Sequence, residues 1–294
     1  MTAMWARFQS LVYGVLGVAV LVAAWDLYKA FGPEAGVRLG ERVLVLPRAS
    51  DLAMPHSWEM VQRLFEPVVG VAGADSMLSA VVDASLFTLE LSAKGWLIGL
   101  VVGLVLALVM SRFRIAEAGL LPWVILSQTV PLIAIAPLVR RWGAQIEIGS
   151  FQWENEHSVS LIAAYLAFFP IAVGALRGLK SPQRTHLELM RAYGTGWWRT
   201  FVTLRMPASV PFLLPALRLG AASAVIGAVV AEVSIGLRGG IGRMVVEYAQ
   251  SASGDPAKAW APIFGAVAVG LVAAGAVGLI GLALRPFRLT GSPS

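Results

Sequence analysis

The sequence predicts an all-α integral membrane protein with six transmembrane helices, and three observations lead there. Hydrophobic residues make up 57% of the 294 and charged residues only 14%. Mean hydropathy is +0.74, outside the range of soluble globular domains. Six stretches are apolar over about 20 residues, the length that a helix rising ~1.5 Å per residue needs to cross a bilayer core. Lys and Arg gather on alternate connections between those stretches, as they do in proteins oriented by cytoplasmic positive charge.

The first stretch, residues 10–31, is longer than the apolar core of a secretory signal. It ends in Trp25-Asp26-Leu27-Tyr28-Lys29 and not in a small-x-small cleavage site, so residues 1–31 are read as a retained N-terminal transmembrane helix. Residues 32–82 form the largest extramembrane segment. Within residues 55–65, Trp58, Val61 and Phe65 share one helical face, which predicts an amphipathic helix at the outer interface, where Trp is favoured. Residues 83–288 form the membrane core, with a central polar loop over 181–207 and a short tail over 289–294.

The remaining apolar stretches of the core cover 84–110, 115–139, 158–177, 208–235 and 261–284. The third stretch of the chain, 115–139, carries Pro122, Pro131 and Pro137 and is read as one kinked helix, because neighbours in a bundle re-satisfy the carbonyls that proline frees. Splitting it into two spans would move the basic central loop to the outer side. Three helices carry small residues at every fourth position: Gly95, Gly99, Gly103 and Ala107; Gly220, Ala224 and Ala228; Ala266, Gly270, Ala274 and Gly278. Such ladders let helix backbones approach closely, which in lipid replaces the missing hydrophobic drive for association.

With the N-terminus inside, the inner connections receive Arg7, Arg112, Arg114, Arg177, Lys180, Arg184, Arg191, Arg199, Arg205, Arg285 and Arg288, opposed only by Glu117 and Glu188. Outer Arg residues are matched or outnumbered by carboxylates, so the central loop is cytoplasmic. This asymmetry accounts for most of the net charge of +6, and no nucleic-acid role is needed to explain it. The absence of cysteine excludes disulfides, thiolate metal sites and cysteine nucleophiles.

Charges at membrane depth are costly and call for partners. Glu90 and Lys94 stand four apart with the acid first, a pairing that neutralises both on one helix face. Arg218 is placed to snorkel toward the inner surface. Glu232 follows Ala228 on the face of a small-residue ladder and so points at protein or at a water-filled path, either as a structural hydrogen-bonding group or as part of a gate.

The central loop opens on Ser181-Pro182. Thr185 lies three residues before Glu188, the spacing of a capping box, so a helix is predicted from near Thr185, closed by Gly194 and Gly196. A second short helix over Trp197–Leu204 then runs to Pro207. Composition alone leaves two readings open: a docking surface for another protein, or an interfacial helix pair resting in the headgroups.

The spacing of this loop resembles the EAA signature of permease subunits of prokaryotic ABC importers, Glu-Ala-Ala-x3-Gly-x9-Ile-x-Leu-Pro. Glu188 stands at its Glu, Gly194 at its Gly and Pro207 at its Pro, while Leu189 and Met190 replace the alanines and Leu204 and Met206 stand for Ile and Leu. Gln128–Leu138, Trp142-Gly143, Phe168–Ile171 and Val229–Glu232 are similar to the nitrate, taurine, sulfonate and thiamine-precursor branch, which has riboflavin-linked relatives. Leu46-Pro47 is a weak echo of the same branch, and the long polar turn Ala144–His157 departs from it.

The resemblance implies the type I ABC importer permease fold (MetI-like), in the bacterial cytoplasmic membrane with both termini cytoplasmic. It also implies that Glu188, Arg191, Ala192, Tyr193, Gly194, Thr195, Gly196, Leu204 and Pro207 contact an ATPase subunit. Gln128 and Glu232 are the candidates for the translocation path or gate. The implied partners are two ABC ATPase subunits, a second permease copy (a homodimer) or a paralogue, an extracytoplasmic substrate-binding protein and membrane lipid. No cofactor is expected on this chain, ATP and Mg belonging to the ATPase partners.

No Gly-x4-Gly-Lys-Ser/Thr phosphate loop is present. Gly236-Leu-Arg-Gly-Gly-Ile-Gly242 lacks an adjacent strand and is read as an outer turn. Glu154-Asn-Glu156-His157 lacks zincin spacing and is read as a solvated acidic loop. The competing class is an ion-coupled secondary transporter with Glu232 as its proton site. A membrane-embedded enzyme has no catalytic constellation to support it.

Overall fold

The computed structural model describes residues 2–39, 43–69 and 75–283; the 289–294 tail and the last residues of the core lie outside them. The chain divides into two compact units, one of residues 1–82 with 245–264, the other of residues 83–244 with 265–294.

In the first unit, α1 (Thr2–Phe31) leaves Val15, Leu16, Val18 and Leu21 each more than half exposed. Apolar surface on every side is what a lipid-embedded helix presents. Its polar end is tied down. The Trp25 indole donates to Pro55 O at 3.0 Å, Tyr28 Oη to Pro47 O at 2.8 Å, and Lys29 Nζ to Ala49 O at 2.6 Å. Asp26 accepts from the backbone N–H and the hydroxyl of Ser57, satisfying an orphan donor in the first turn of α2 (Ser57–Arg63). A helix therefore forms within the segment where an amphipathic one was expected. Met60 points inward at 4% exposure while Trp58, Val61 and Phe65 remain open. A small antiparallel hairpin, β1 (Val37–Leu39) with β2 (Val43–Leu46), precedes it. Arg63 Nε bonds Asp255 at 2.7 Å and Trp25 meets Trp260 edge to face at 5.0 Å, which fastens residues 255–260 to this unit.

The second unit is built around α6 (Asn155–Leu179), packed between α3 (Met77–Arg112) and α9 (Met206–Ile235). A Cβ added to Gly95 would lie 2.4 Å from Ala163 Cβ, and one on Gly99 2.8 Å from Ala167 Cβ. From α9, Ala216 Cβ would lie 2.2 Å from a Cβ on Gly174, and a Cβ on Gly227 would lie 2.9 Å from Ala163 Cα, the residue that Gly95 also meets. The first ladder is thus a close helix contact, and the second is buried as well: a Cβ on Gly220 would lie 2.8 Å from Ile171 Cγ1 and 3.3 Å from Ala167 O, and Ala224 and Ala228 are fully enclosed. The third is not. In α11 (Ala261–Ala283) the buried positions after the first two residues are Gly265, Val269, Val277 and Gly281, one residue before the register of the ladder, and a Cβ on Gly270 would meet nothing within 4 Å. Within this chain that face is not the one α11 packs on.

The third stretch also differs from a single kinked helix. It forms α4 (Arg114–Ser127) and α5 (Leu132–Gly143), bent by 101° across the break. Pro131 removes an N–H donor and holds the backbone extended at φ −64°, ψ 115°, so the first helix cannot continue through it. At ~1.5 Å per residue each piece is well short of the ~30 Å hydrocarbon core, so the split does not make two spans. Among the described residues five helices are long and apolar enough to cross a membrane, six if the bent pair is one span. The turn predicted over Ala144–His157 is a two-residue-strand hairpin, β3 (Glu147–Ile148) with β4 (Phe151–Gln152), followed by the start of α6, where Glu154 is the N-cap and residues 155–157 are helical and not a loop.

Replacing Gly99 by Leu should destabilise the purified protein, since overpacking a closed helix interface costs about 1–3 kcal/mol or more. Gly270→Leu should not. Thermal unfolding of both variants in one detergent measures the difference, and equal midpoints would contradict the interface described.

Candidate functional site

The central loop is an elbow of two helices. The first, α7 (Arg184–Ala192), buries no residue. Gln183, not Thr185, holds its N-cap position and makes no side-chain cap bond. Pro182 and the extended Gln183 start the helix one residue ahead of Thr185, so the predicted capping box does not form. Gly194 ends the helix with φ +65°, a left-handed conformation that glycine adopts without steric penalty. The turn is closed by Gly194 N–H to Arg191 O at 2.9 Å and by Thr195, whose N–H and hydroxyl both reach Met190 O, at 3.0 and 2.7 Å.

The second half is α8 (Trp197–Thr200) followed by a π-helical turn (Phe201–Arg205) that runs into α9 without a break. Pro207 has no N–H, and its ring crowds the carbonyl four residues back; widening the preceding turn relieves that crowding. The expected stop at Pro207 is therefore a bulge in one continuous helical run, Trp197–Ile235.

The elbow is held to the bundle at its ends. Trp197 stacks on Phe201 at 5.3 Å and lies under the Arg112 guanidinium at 5.4 Å. Lys180 pairs with Glu117, and Ser181 Oγ donates to Gly178 O at 2.7 Å and Ala208 O at 3.2 Å, joining the entrance of the elbow to its exit. Of the residues named for ATPase contact, Glu188, Arg191, Ala192, Tyr193, Gly194 and Gly196 are exposed, while Thr195, Leu204 and Pro207 are half-buried. Tyr193 is 76% exposed. They form one open polar and aromatic rim presented by a rigid turn.

The two path candidates sit in different settings. Gln128 is exposed at the break between α4 and α5, its amide donating to Ser127 Oγ at 3.2 Å, and Tyr165 Oη donates to Ser127 O beside it. Glu232 is wholly buried. Its Oε1 accepts from Thr88 Oγ1 at 2.8 Å and its Oε2 from Gly242 N at 2.8 Å, while Ile241 N donates to the same Thr88 hydroxyl at 2.9 Å. The segment read as an outer turn is a turn through Gly236 (φ +74°) and Gly239 (φ +98°). It leads into α10 (Ile241–Gln250), whose Gly242 N–H donates to this carboxylate while its Ile241 N–H donates to Thr88. A Cβ on Gly240 would lie 2.2 Å from Glu232 Cδ. Thr88 escaped sequence reasoning because it lies 144 residues from Glu232; the spacing of Gly240 and Gly242 was the one local hint. Nearby, Arg140 donates to Ile235 O at 3.1 Å and ties α5 to the last turn of α9. The Glu90–Lys94 pair forms at 2.7 Å. No group of metal-ligating side chains occurs among the described residues.

Residues 99–286 match the family described as binding-protein-dependent transport system inner membrane component. Among curated proteins the chain is similar to the formylaminopyrimidine transport permease protein ThiX of Halalkalibacterium halodurans, 32% identical over 68% of this chain and 76% of that one. The putative aliphatic sulfonates transport permease protein SsuC of Bacillus subtilis is 27% identical over 81% and 74%. The riboflavin transport system permease protein RibX of Chloroflexus aurantiacus is 31% identical over 46% and 47%.

Removing the Glu232 carboxylate by Glu232→Ala should leave a buried N–H and a buried hydroxyl without their acceptor, at about 1–3 kcal/mol each. Gly240→Ala should destabilise through the clash with the same carboxylate. Thermal unfolding in detergent tests both, and a wild-type midpoint for either would argue against the knot.

Proposed function

The chain belongs to the family of binding-protein-dependent transport system inner membrane components, and we propose that its elbow over Glu188–Pro207 is the coupling element through which ATPase subunits drive alternating access. It is a multi-pass membrane permease of the ABC importer class. The observation that carries the coupling reading is the unbroken helical run from Trp197 to Ile235: the second half of the elbow continues into α9 with no loop between them, and only the hydrogen-bonded turn at Gly194 and Thr195 separates it from the rim.

In this reading two permease copies, identical or paralogous, form the pathway. An extracytoplasmic binding protein delivers the solute, and ATP-driven closure of the ATPases draws the elbows together and opens the permease outward. ATP and Mg stay on the ATPase subunits. The elbow lies in the cytoplasm because the cations of Arg112, Arg114, Lys180, Arg184 and Arg191 cluster around it, and the bent α4–α5 pair crosses as one broken span. Gln128 at that break lines the path, and Glu232 fixes the outer end of α9 as part of the gate. The solute is a small polar or heterocyclic molecule, in keeping with the relatives named for formylaminopyrimidine, aliphatic sulfonates and riboflavin.

Gly194→Pro cannot hold φ near +65°, and Glu188→Lys reverses the charge of the rim. Both variants should insert normally, lose co-purification of the ATPase subunit and abolish solute uptake in cells. Normal uptake by either would sink the proposal. Uptake driven by a proton gradient in vesicles holding this chain alone would favour the secondary-transporter class instead.

A further inference from the structure

A second feature of the elbow is turned away from the exposed rim. Between the end of α3, the first turns of α4, the end of α6 and α7 lies a cavity of about 750 Å³. Four cations line it, Arg114, Lys180, Arg184 and Arg205, against a single carboxylate, Glu117. That carboxylate is already taken by Lys180. Arg114, Arg184 and Arg205 form no ion pair among the described residues. Arg205 is the telling one. Its Nε is buried and meets no hydrogen-bond acceptor, and the charge of Arg191 bears on it as well. Buried guanidinium donors are ordinarily satisfied, by an anion above all. The remaining wall is apolar, made by Met110, Leu121 and Leu179 at the ends of membrane helices. On α4, Ile115 is 89% and Leu120 37% exposed, as lipid-facing residues are.

We propose that this cavity binds the phosphate headgroup of an anionic phospholipid of the inner leaflet, Arg114, Arg184 and Arg205 holding the phosphate while an acyl chain runs along Met110, Leu121 and Leu179. The inference rests on the cytoplasmic placement of the elbow. A soluble phosphate would satisfy the cations and leave the apolar wall bare, whereas a phospholipid covers both. An acidic side chain of an ATPase subunit fits less well, because α7 turns Arg184 and Leu187 to the cavity and Glu188, Leu189 and Tyr193 to the exterior. The site would let lipid charge hold the base of the elbow against α4.

The test uses the full-length chain, delipidated in a neutral detergent and titrated with phosphatidylglycerol or phosphatidylcholine, with bound lipid counted by native mass spectrometry. Phosphatidylglycerol should be retained in preference to phosphatidylcholine. Arg184→Gln and Arg205→Gln should each weaken its retention about five-fold, the effect expected of one interfacial cation, and Arg184→Lys should restore it. Thermal unfolding in lipid-free detergent verifies that the variants are folded. Arg184, being exposed, carries the test if Arg205→Gln does not fold. Equal retention of the two lipids, or wild-type retention by Arg184→Gln, would overturn the site. Release of the lipid by inorganic phosphate but not by chloride of equal ionic strength would make it a soluble-anion site and also overturn it. Unchanged lipid retention with loss of the ATPase subunit in Arg184→Gln would assign the cavity to the partner protein, leaving the coupling reading intact. Normal ATPase assembly in Glu188→Lys, with phosphatidylglycerol still retained, would sink the coupling reading and spare the lipid site.

Discussion

Backbone-to-backbone packing of α6 against α3 and α9 is the contact on which the core of this protein depends. In lipid, apolar side chains gain little by leaving hydrocarbon for one another, so association relies on close van der Waals contact and on the few interhelical hydrogen bonds available. Gly95, Gly99 and Gly103 of α3 bring that helix onto Ser160, Ala163, Ala167 and Ile171. Gly174 and Gly178 of α6 receive Ala216 and Ser209 of α9. The Trp96 indole reaches Leu217 O at 3.2 Å beside that seam. Both helices meet α6 at Ala163 and Ile171, so α3 and α9 are also brought against each other.

That spacing makes the Glu232 knot feasible. A buried carboxylate without donors is expensive, and here the Thr88 hydroxyl from α3 and the Gly242 N–H of α10 supply them. Glycine at 240 and 242 is needed because backbone must come within contact of the acid. The C-terminal end of α9 is thereby locked to α3, while its N-terminal end continues through a π turn into the elbow. One helix carries both a fixed anchor at one end and an exposed lever at the other, which is an arrangement suited to the transport cycle proposed for it.

Much of this was legible locally. Hydropathy located the long helices within a few residues at most ends, and the spacing of Glu188, Gly194 and Pro207 located the elbow, because a left-handed glycine and a donor-less proline act on their immediate neighbours. The spacing of Glu90 and Lys94 announced an ion pair for the same reason. Where the reading went astray, the deciding partner lay elsewhere or the local signal had two outcomes. Pro131 serves as well for a kink as for a break, and the 101° bend at 128–131 is fixed by what α5 packs on, including the Arg140 bond to Ile235 O. The Ala266–Gly278 ladder looked like the other two, yet a Cβ on Gly270 would meet nothing within 4 Å and one on Gly278 would meet only the Arg218 side chain.

The sequence by itself determined that this is a helical membrane protein of the binding-protein-dependent permease family with a polar elbow, because apolar length, charge asymmetry and motif spacing are all written along the chain. Tertiary structure alone decided which small-residue faces become interfaces, how the Glu232 charge is satisfied by a threonine 144 residues away, and that Arg205 closes a cationic cavity with Arg114 and Arg184. Those outcomes depend on distances between helices that are remote in sequence, and such distances are set only when backbones meet.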